Sequence, residues 1–232
     1  MKHKTSLLAA FICAGFALKA IAAGEGYDFT GFDKIEVRSG ITTEIKVGGA
    51  HAIEATSDNG SLRRLVIRKD GDTLEIGRGP AMGLWGVFRK PDYRVTVEVP
   101  SLEGITAKSG ARVDVANIGA GDFTANAKSG AFLRVSGIEG GEIDATARSG
   151  GRMALSGACR LLEADISSGA RLNADGLSCI AVDGEARSGA DLVAHAKETA
   201  RGEAASGAQI QISGGPRVLE IEEASGGRVV IN

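Results

Sequence analysis

Two cysteines, Cys159 and Cys179, are the residues whose spacing points most directly to a chemical reaction. Each lies nine residues before a Ser-Gly dipeptide, at Ser168 and Ser188, so stacked repeats would place them at the same position on neighbouring coils. Stacked strands are about 4.8 Å apart, within the Cα–Cα range of a disulfide. We therefore predict a disulfide bond, formed in an oxidising compartment. The alternative is a pair of stacked free thiols, because parallel in-register neighbours strain the S–S torsion.

Arginine and lysine side chains also recur at fixed distances from the Ser-Gly dipeptides. They lie just before Ser-Gly, or just after the Ala or Gly that follows it, at Lys108, Arg112, Lys128, Arg148, Arg152, Arg171 and Arg187. An acidic series lies three residues before the serine, at Asp165, Glu185, Glu203 and Glu222. Like charges stacked at strand spacing repel one another. The basic series is a candidate surface for an anionic glycan, for lipopolysaccharide or for the acidic face of another subunit. The alternative is a solvated surface with screened charge that resists aggregation.

Other residues with catalytic or ligating chemistry are sparse. After the first 22 residues the chain has two histidines, His51 and His195, which are 144 residues apart, and it has no Cys-x-x-Cys motif. Neither G-x-S-x-G nor a phosphate-binding P-loop is present. We therefore predict no metal site of the zinc kind, no cofactor and no catalytic residue.

The Ser-Gly dipeptide itself recurs at a nearly constant interval through the second half of the chain. Seven copies form a regular series, with gaps of 20, 20, 19, 20, 18 and 19 residues and serines at Ser109, Ser129, Ser149, Ser168, Ser188, Ser206 and Ser225. A fixed period near 20 without a helical pattern predicts an all-β solenoid, in which each coil buries its apolar face on the next.

Small or apolar residues alternate with polar ones on both sides of each dipeptide. Before Ser129, for example, Phe123, Ala125 and Ala127 alternate with polar residues, and Leu133-Arg134-Val135 follows it. Alternation with a period of two predicts a half-buried strand, so each coil should contain two short strands. The glycine permits the positive φ that a sharp bend between them requires. Inward-facing Ala and Gly predict a narrow, tightly filled bore.

Residues 1–22 have the pattern of a secretory signal peptide. A basic start precedes an apolar run from Leu7 to Leu18 and an Ala-x-Ala site that ends at Ala22. The run is too short to remain as a membrane span. Cys13 lies inside it without a good lipid-attachment motif, so we expect no lipid anchor, and we expect no later segment to cross a membrane.

The charge of the remaining chain is mildly acidic. Removal of Lys2, Lys4 and Lys19 leaves 24 of the 27 basic residues against 29 acidic ones, hence a formal charge of −5. This balance argues against nucleic acid as a partner, and export argues against it further.

The region before the repeats is rich in alternating segments but does not follow the period. We divide the chain into a signal peptide (1–22), a β-rich N-terminal capping region (23–100) and the solenoid repeats (101–232). Ser39-Gly40 is a candidate eighth, degenerate copy of the corner. Residues 77–88, which contain Trp85, break the alternation and are interpreted as a loop with an apolar tip.

The repeated A-x-(K/R)-S-G-A coils and the end of the chain, Arg228-Val229-Val230-Ile231-Asn232, resemble a known family. A β-rich, exported lead-in followed by such coils is similar to the auto-transporter adhesin head domain of bacterial envelope proteins, the head GIN domain. The resemblance covers residues 32–232, with Val230 as a departure in the terminal Gly-Ile-Asn motif. It implies a right-handed parallel β-helix and an adhesin-like role, and it brings no catalytic residues.

Three functions follow as hypotheses. The first is a non-catalytic envelope module in the periplasm or on the surface of a Gram-negative-type bacterium, which presents a rigid surface to a glycan or protein. The second is a structural solenoid that self-associates into homo-oligomers through its last coil. The third, less favoured, is a polysaccharide-active enzyme, because β-helix lyases and hydrolases usually wall their groove with long loops, for which a period of 18–20 residues leaves no room.

Overall fold

The computed structural model describes residues 25–80 and 91–232, and these ranges contain strands and no helix. The strands are β1 (Glu25–Gly26), β2 (Lys34–Val37), β3 (Thr42–Val47), β4 (Ala52–Ser57), β5 (Leu65–Asp70), β6 (Thr73–Arg78), β7 (Tyr93–Val99), β8 (Gly104–Lys108), β9 (Arg112–Gly119), β10 (Phe123–Lys128), β11 (Phe132–Glu139), β12 (Glu142–Arg148), β13 (Arg152–Ser167), β14 (Arg171–Arg187), β15 (Asp191–Ala205), β16 (Gln209–Ser213), β17 (Arg217–Ala224) and β18 (Arg228–Ile231). The prediction of an all-β solenoid with about 20 residues per coil is confirmed.

Two rows of parallel strands build the stack. The front row, which precedes the corners, runs in the order β6, β2, β8, β10, β12, then the second halves of β13, β14 and β15, and ends with β17. The back row, which follows the corners, runs β7, β3, β9, β11, then the first halves of β13, β14 and β15, and ends with β16 and β18. Register shifts after the back row, such as that between Val135 and Ile138, turn the chain into a short third segment before it re-enters the front row.

The Ser-Gly corners align in one column, and both of their residues adopt positive φ. The serines lie at φ 51–66° and the glycines at φ 67–77° in all eight copies, including Ser39-Gly40, which confirms the eighth corner. Two successive positive φ angles form a tight turn of the primed type, closed in one coil by the Ala111 N–H, which donates to the Lys108 oxygen at 3.1 Å. The Gly130 N–H donates to the Ser149 oxygen of the next coil at 3.1 Å, so the corners are also linked along the stack.

Positive φ at the serine, which sequence reasoning did not foresee, makes a test of the corner possible. Ser129→Val should lower the free energy of unfolding by about 1–2 kcal/mol, because a β-branched residue is strained in the left-handed region. Ser129→Asn should have almost no effect, because asparagine tolerates this region and the Ser129 side chain is exposed. Urea denaturation of the two variants measures the difference, and equal stability would contradict the strained-corner geometry.

The bore is filled by side chains of complementary size from the two rows. Ala125, Ala127 and Ala145 of the front row are fully buried, as is Leu133 of the back row. Further along the stack the front row has Gly184, where an added Cβ would lie 2.6 Å from Cδ2 of Leu192. The Leu192 side chain of the back row therefore fills the space that a side chain at Gly184 of the front row would occupy, which keeps the interior close-packed.

The N-terminal end of the stack is closed by antiparallel strands. β5 pairs with β6, β4 pairs with β7, and β1 pairs with β4. These strands satisfy the edges that an open coil would expose. The coil formed by β2 and β3 precedes residue 100 but lies inside the stack, between the β6–β7 and β8–β9 coils. The domain boundary at residue 100 stays a prediction.

Several predicted features fall outside the described residues. The signal peptide with Cys13 lies before residue 25, and Trp85 lies within residues 81–90. β6 extends to Arg78, two residues into the stretch that the sequence predicts as a loop. Within the described ranges, no helix has the length and apolar composition required to cross a bilayer.

Candidate functional site

Four arginines align on the outer face of the back row, close to the corners. In register, the order along the stack is Arg94, Thr42, Arg112, Phe132, Arg152 and Arg171. We call Arg94, Arg112, Arg152 and Arg171 the arginine column. Their neighbours Val113 and Met153 are buried, so the alternation of each strand directs the arginines to solvent.

Most of the arginine column has no carboxylate to neutralise it. Arg171 is paired with Asp191 at 2.8 Å. Arg94, Arg112 and Arg152 are exposed and make no ion pair or side-chain hydrogen bond within the described part of the chain. Arg152 and Arg171 are direct neighbours in the ladder, and the pairing of Arg171 with Asp191 offsets only part of the repulsion between them. A bound anion would relieve this repulsion.

Phe132 lies within the arginine column as a half-buried aromatic ring. It pairs in register with Arg112 on one side and Arg152 on the other. The guanidinium of Arg134 lies over the ring, 5.6 Å from its centroid. Cations on both sides of a half-buried apolar ring form a surface suited to a ligand that has both charge and a flat apolar face, as an acidic sugar has.

A shallow cleft borders the N-terminal end of the arginine column. It has a volume of about 610 Å³ and is lined by Arg94, Arg112 and Thr42. Asp58 and Asp92 also line it, and the Asp92 N–H donates to Oδ1 of Asp58 at 3.1 Å. Because these carboxylates oppose an anion, the favourable part of the face is the stretch from Arg112 to Arg171.

The seven basic residues singled out by the sequence divide into two groups. Four are paired with carboxylates: Lys108 with Glu36 at 2.7 Å, Arg148 with Asp165, Arg171 with Asp191, and Arg187 with Glu185 and Glu203. Lys128, Arg112 and Arg152 have no such partner among the residues the structure describes. The acidic and basic series are thus interleaved between coils, so pairing offsets part of the repulsion expected within each series. These pairs are exposed and each adds little stability.

Cys159 and Cys179 form a disulfide between neighbouring coils. They pair in register, with a Cα–Cα distance of 4.4 Å, and both are buried. The next coil has Ala196 at the same position. The bond therefore joins two coils of the stack in the short third segment and lies away from the solvent.

A cluster that sequence reasoning missed joins three coils through Asp175, His195 and Ser213. The Ser213 hydroxyl donates to Oδ1 of Asp175 at 3.3 Å and lies 3.1 Å from Nδ1 of His195. The separations in sequence, 20 and 18 residues, equal the repeat period and were the available signal. In a catalytic triad the imidazole lies between serine and carboxylate. Here the serine occupies the middle position, between the carboxylate and the imidazole, so the three side chains link neighbouring coils and do not have the order of a triad.

Metal-ligating groups do not converge in the described ranges. No set of three or more His, Cys, Asp or Glu side chains there has a geometry that could hold a metal ion. A second cleft, about 680 Å³, is lined by Lys34 together with Glu103, Asp122, Glu142 and Asp144. Its acidic side chains are spread along several coils.

These features define a parallel β-solenoid with an exposed cationic face. The chain belongs to the family described as "Putative auto-transporter adhesin, head GIN domain", whose model matches residues 31–216, and the predicted resemblance is confirmed. The family description is that of an adhesin, a class of envelope or extracellular binding proteins. A search of the curated proteins finds no match.

Solved structures share the fold at low sequence identity. A putative adhesin from Bacteroides fragilis superposes with a TM-score of 0.77 at 14% identity, over 90% of this chain and 95% of that one. A putative lipid binding protein from Parabacteroides distasonis gives 0.69 at 13% identity, over 90% and 96%. A putative adhesin from Parabacteroides merdae gives 0.67 at 15% identity, over 90% and 95%. At these identities the likeness establishes the fold alone.

Proposed function

We propose that this protein is an exported, non-catalytic binding module of the bacterial envelope, which holds an anionic glycan against the arginine column. The observation that carries the proposal is the exposed, carboxylate-free pair Arg112 and Arg152 on either side of Phe132. The signal-peptide pattern of residues 1–22 supports export to the periplasm or the cell surface.

The shape of the surface favours a polymer over a small ligand. The back row is a continuous parallel ladder, so the backbone holds its arginines at multiples of the strand spacing, one or two coils apart. A polymer with carboxylates or phosphates at intervals can contact several of them at once, and the summed contacts raise affinity without a deep pocket. One structural neighbour, from Parabacteroides distasonis, is described as a putative lipid binding protein. That description is compatible with lipopolysaccharide as the source of the anionic sugar.

The double variant Arg112→Glu/Arg152→Glu should weaken binding to an anionic glycan by at least about tenfold, equivalent to ~1.4 kcal/mol. Two attractive contacts become repulsive, while the exposed positions leave the fold intact. Binding is measured by biolayer interferometry at low salt on immobilised polygalacturonate and on lipopolysaccharide, with neutral dextran and anionic phospholipid vesicles as comparisons.

The matched control is Arg160→Glu/Arg201→Glu, which makes the same change in net charge. Arg160 and Arg201 are exposed and already paired, with Glu142 at 2.7 Å and Glu220 at 3.0 Å. Equal losses in both double variants would reduce the effect to net charge and overturn the site. Binding to the vesicles alone would overturn the glycan as ligand, and shortening of the polymer would overturn the non-catalytic role.

A further inference from the structure

The two ends of the stack differ in whether further strands cover their edges. At the N-terminal end, β4 and β5 lie antiparallel on the outermost coil. At the other end, β17 pairs with β15, β18 pairs with β16, and no described strand lies on their outer side. The outward-pointing backbone N–H and C=O groups along this edge can pair with another strand, although the Val229 N–H is bonded to a side chain of the same molecule.

Apolar side chains are concentrated at this open end. Of the six large hydrophobic residues exposed in the described ranges, four lie on the last two strands: Val218, Leu219, Ile221 and Val230. Leu219 is 60% exposed, and every residue of β17 is exposed, whereas the preceding front-row strands bury alternate residues. Ile221 pairs in register with Gly202, whose position faces the bore, so Ile221 also faces inward. Because Ile221 is exposed, the bore is open to solvent at this end.

We propose that this end binds the same end of a second copy of the chain, with β17 of each copy pairing antiparallel to β18 of the other. A two-fold axis produces two identical ladders of this kind. The pairing of β4 and β5 with the opposite end of the stack shows that coils of this solenoid accept antiparallel strands on an edge. This inference is independent of ligand binding at the arginine column.

Charge and polarity select the crossed pairing. If β17 paired with itself, Glu220 and Glu222 would face carboxylates, and like charges directly opposite destabilise a ladder. In the crossed register, Arg228 lies opposite Glu222 of the second copy, and the inward-facing Val229 lies opposite its Ile221. Arg228 has no ion pair within the described residues.

The acidic side chains of β17 are crowded in the single chain. A hydrogen bond to Glu220, together with the charges of Glu220 and Glu203, raises the pKa of Glu222 above its usual value. A guanidinium supplied by a second copy stabilises the charged form of such a carboxylate. One intramolecular contact competes with the dimer, because the Val229 N–H donates to Oε1 of Glu223 at 2.7 Å. The second copy's strand has to displace this carboxylate.

Sedimentation velocity over an about hundredfold range of concentration tests the proposal, and we expect a reversible monomer–dimer equilibrium. Arg228→Glu or Glu222→Arg alone should weaken the dimer at least about tenfold, and the double variant Glu222→Arg/Arg228→Glu should restore it, because each ladder then contains the reversed pair. Arg217→Glu is the control, since Arg217 lies outside the crossed ladder. Glu223→Ala should tighten the dimer by removing the competing contact.

A cross-linking experiment tests the register. Val230 lies opposite Glu220 of the second copy, so chains with Val230→Cys and chains with Glu220→Cys should form a disulfide-linked dimer when mixed. Neither variant should do so alone, because identical positions lie apart in this register. A monomer at every concentration, or a double variant no better than the single ones, would overturn the dimer. Equal cross-linking of each variant alone would overturn the crossed pairing. The variant positions are exposed, and thermal unfolding verifies that each variant folds.

Discussion

Gly141→Ala should destabilise the protein by about 4 kcal/mol, near the upper end of the range for single substitutions. Gly141 lies in the return turn before β12, where a Cβ would be 1.7 Å from the carbonyl oxygen of Gly121 and 2.3 Å from its carbonyl carbon. Both neighbours are backbone atoms of the adjacent coil, so no side-chain rotation can relieve the overlap. The two coils have to separate locally, which disrupts the hydrogen bond from the Glu142 N–H to Oδ1 of Asp122 at 2.8 Å.

Gly140 provides a matched control for this substitution. It precedes Gly141 directly and has a similar φ, 78° against 84°, but an added Cβ there meets nothing within 4 Å. Gly140→Ala should therefore cost about 1 kcal/mol, which is the strain of an L-residue in the left-handed region. The difference between the two variants isolates steric overlap between coils. Urea denaturation measures both, and equal losses would show that the coils are not in contact at this turn.

The repeat period was the most reliable guide to the fold. The Ser-Gly spacing predicts the coil length, and the alternation around Ser129 predicts which side chains are buried, because a period of two fixes the face of every residue in a strand. The same spacing predicts that Cys159 and Cys179 are neighbours. These inferences hold because parallel in-register stacking converts sequence separation directly into position.

The order of the coils at the N-terminal end could not be predicted. β6 and β7 lie outside β2 and β3 although they follow them in the chain. A strand buried on one face carries the same alternation wherever it is placed in the stack, so the pattern of Ile35 or Leu74 contains no information about its neighbour. The order depends on which edges the intervening antiparallel strands β4 and β5 can cover, and that is a property of the assembled stack.

The candidate site was predicted only in part. The basic positions follow from the period, but whether a cation is paired depends on the coil next to it. Arg171 has Asp191 beside it and is neutralised, whereas Arg112 and Arg152 have Phe132 between them and are not. Reading equivalent positions in successive coils as neighbours would have shown this difference, and would also have found Asp175, His195 and Ser213.

Removal of the disulfide should lower the free energy of unfolding by about 3 kcal/mol. Cys159 and Cys179 are separated by 20 residues, and cross-linking a loop of this length removes about that much chain entropy from the unfolded state. The double variant Cys159→Ala/Cys179→Ala is the appropriate change. The next coil has Ala196 at the equivalent position, so alanine is a side chain that this position in the stack already accommodates. The measurement is urea denaturation of both proteins with and without a reductant.

Treatment with a reductant distinguishes the stability that the disulfide bond provides from the stability that the two cysteine side chains provide by packing. Cys179 is fully buried and Cys159 is 4% exposed, so a reductant should reach the bond mainly through unfolded or partly opened molecules. The wild-type protein should therefore lose about 3 kcal/mol after it is unfolded and refolded under reducing conditions, whereas the double alanine variant should be insensitive to reductant. A wild-type protein that is equally stable when oxidised and when reduced would show that stacking alone holds these two coils together and that the bond contributes nothing.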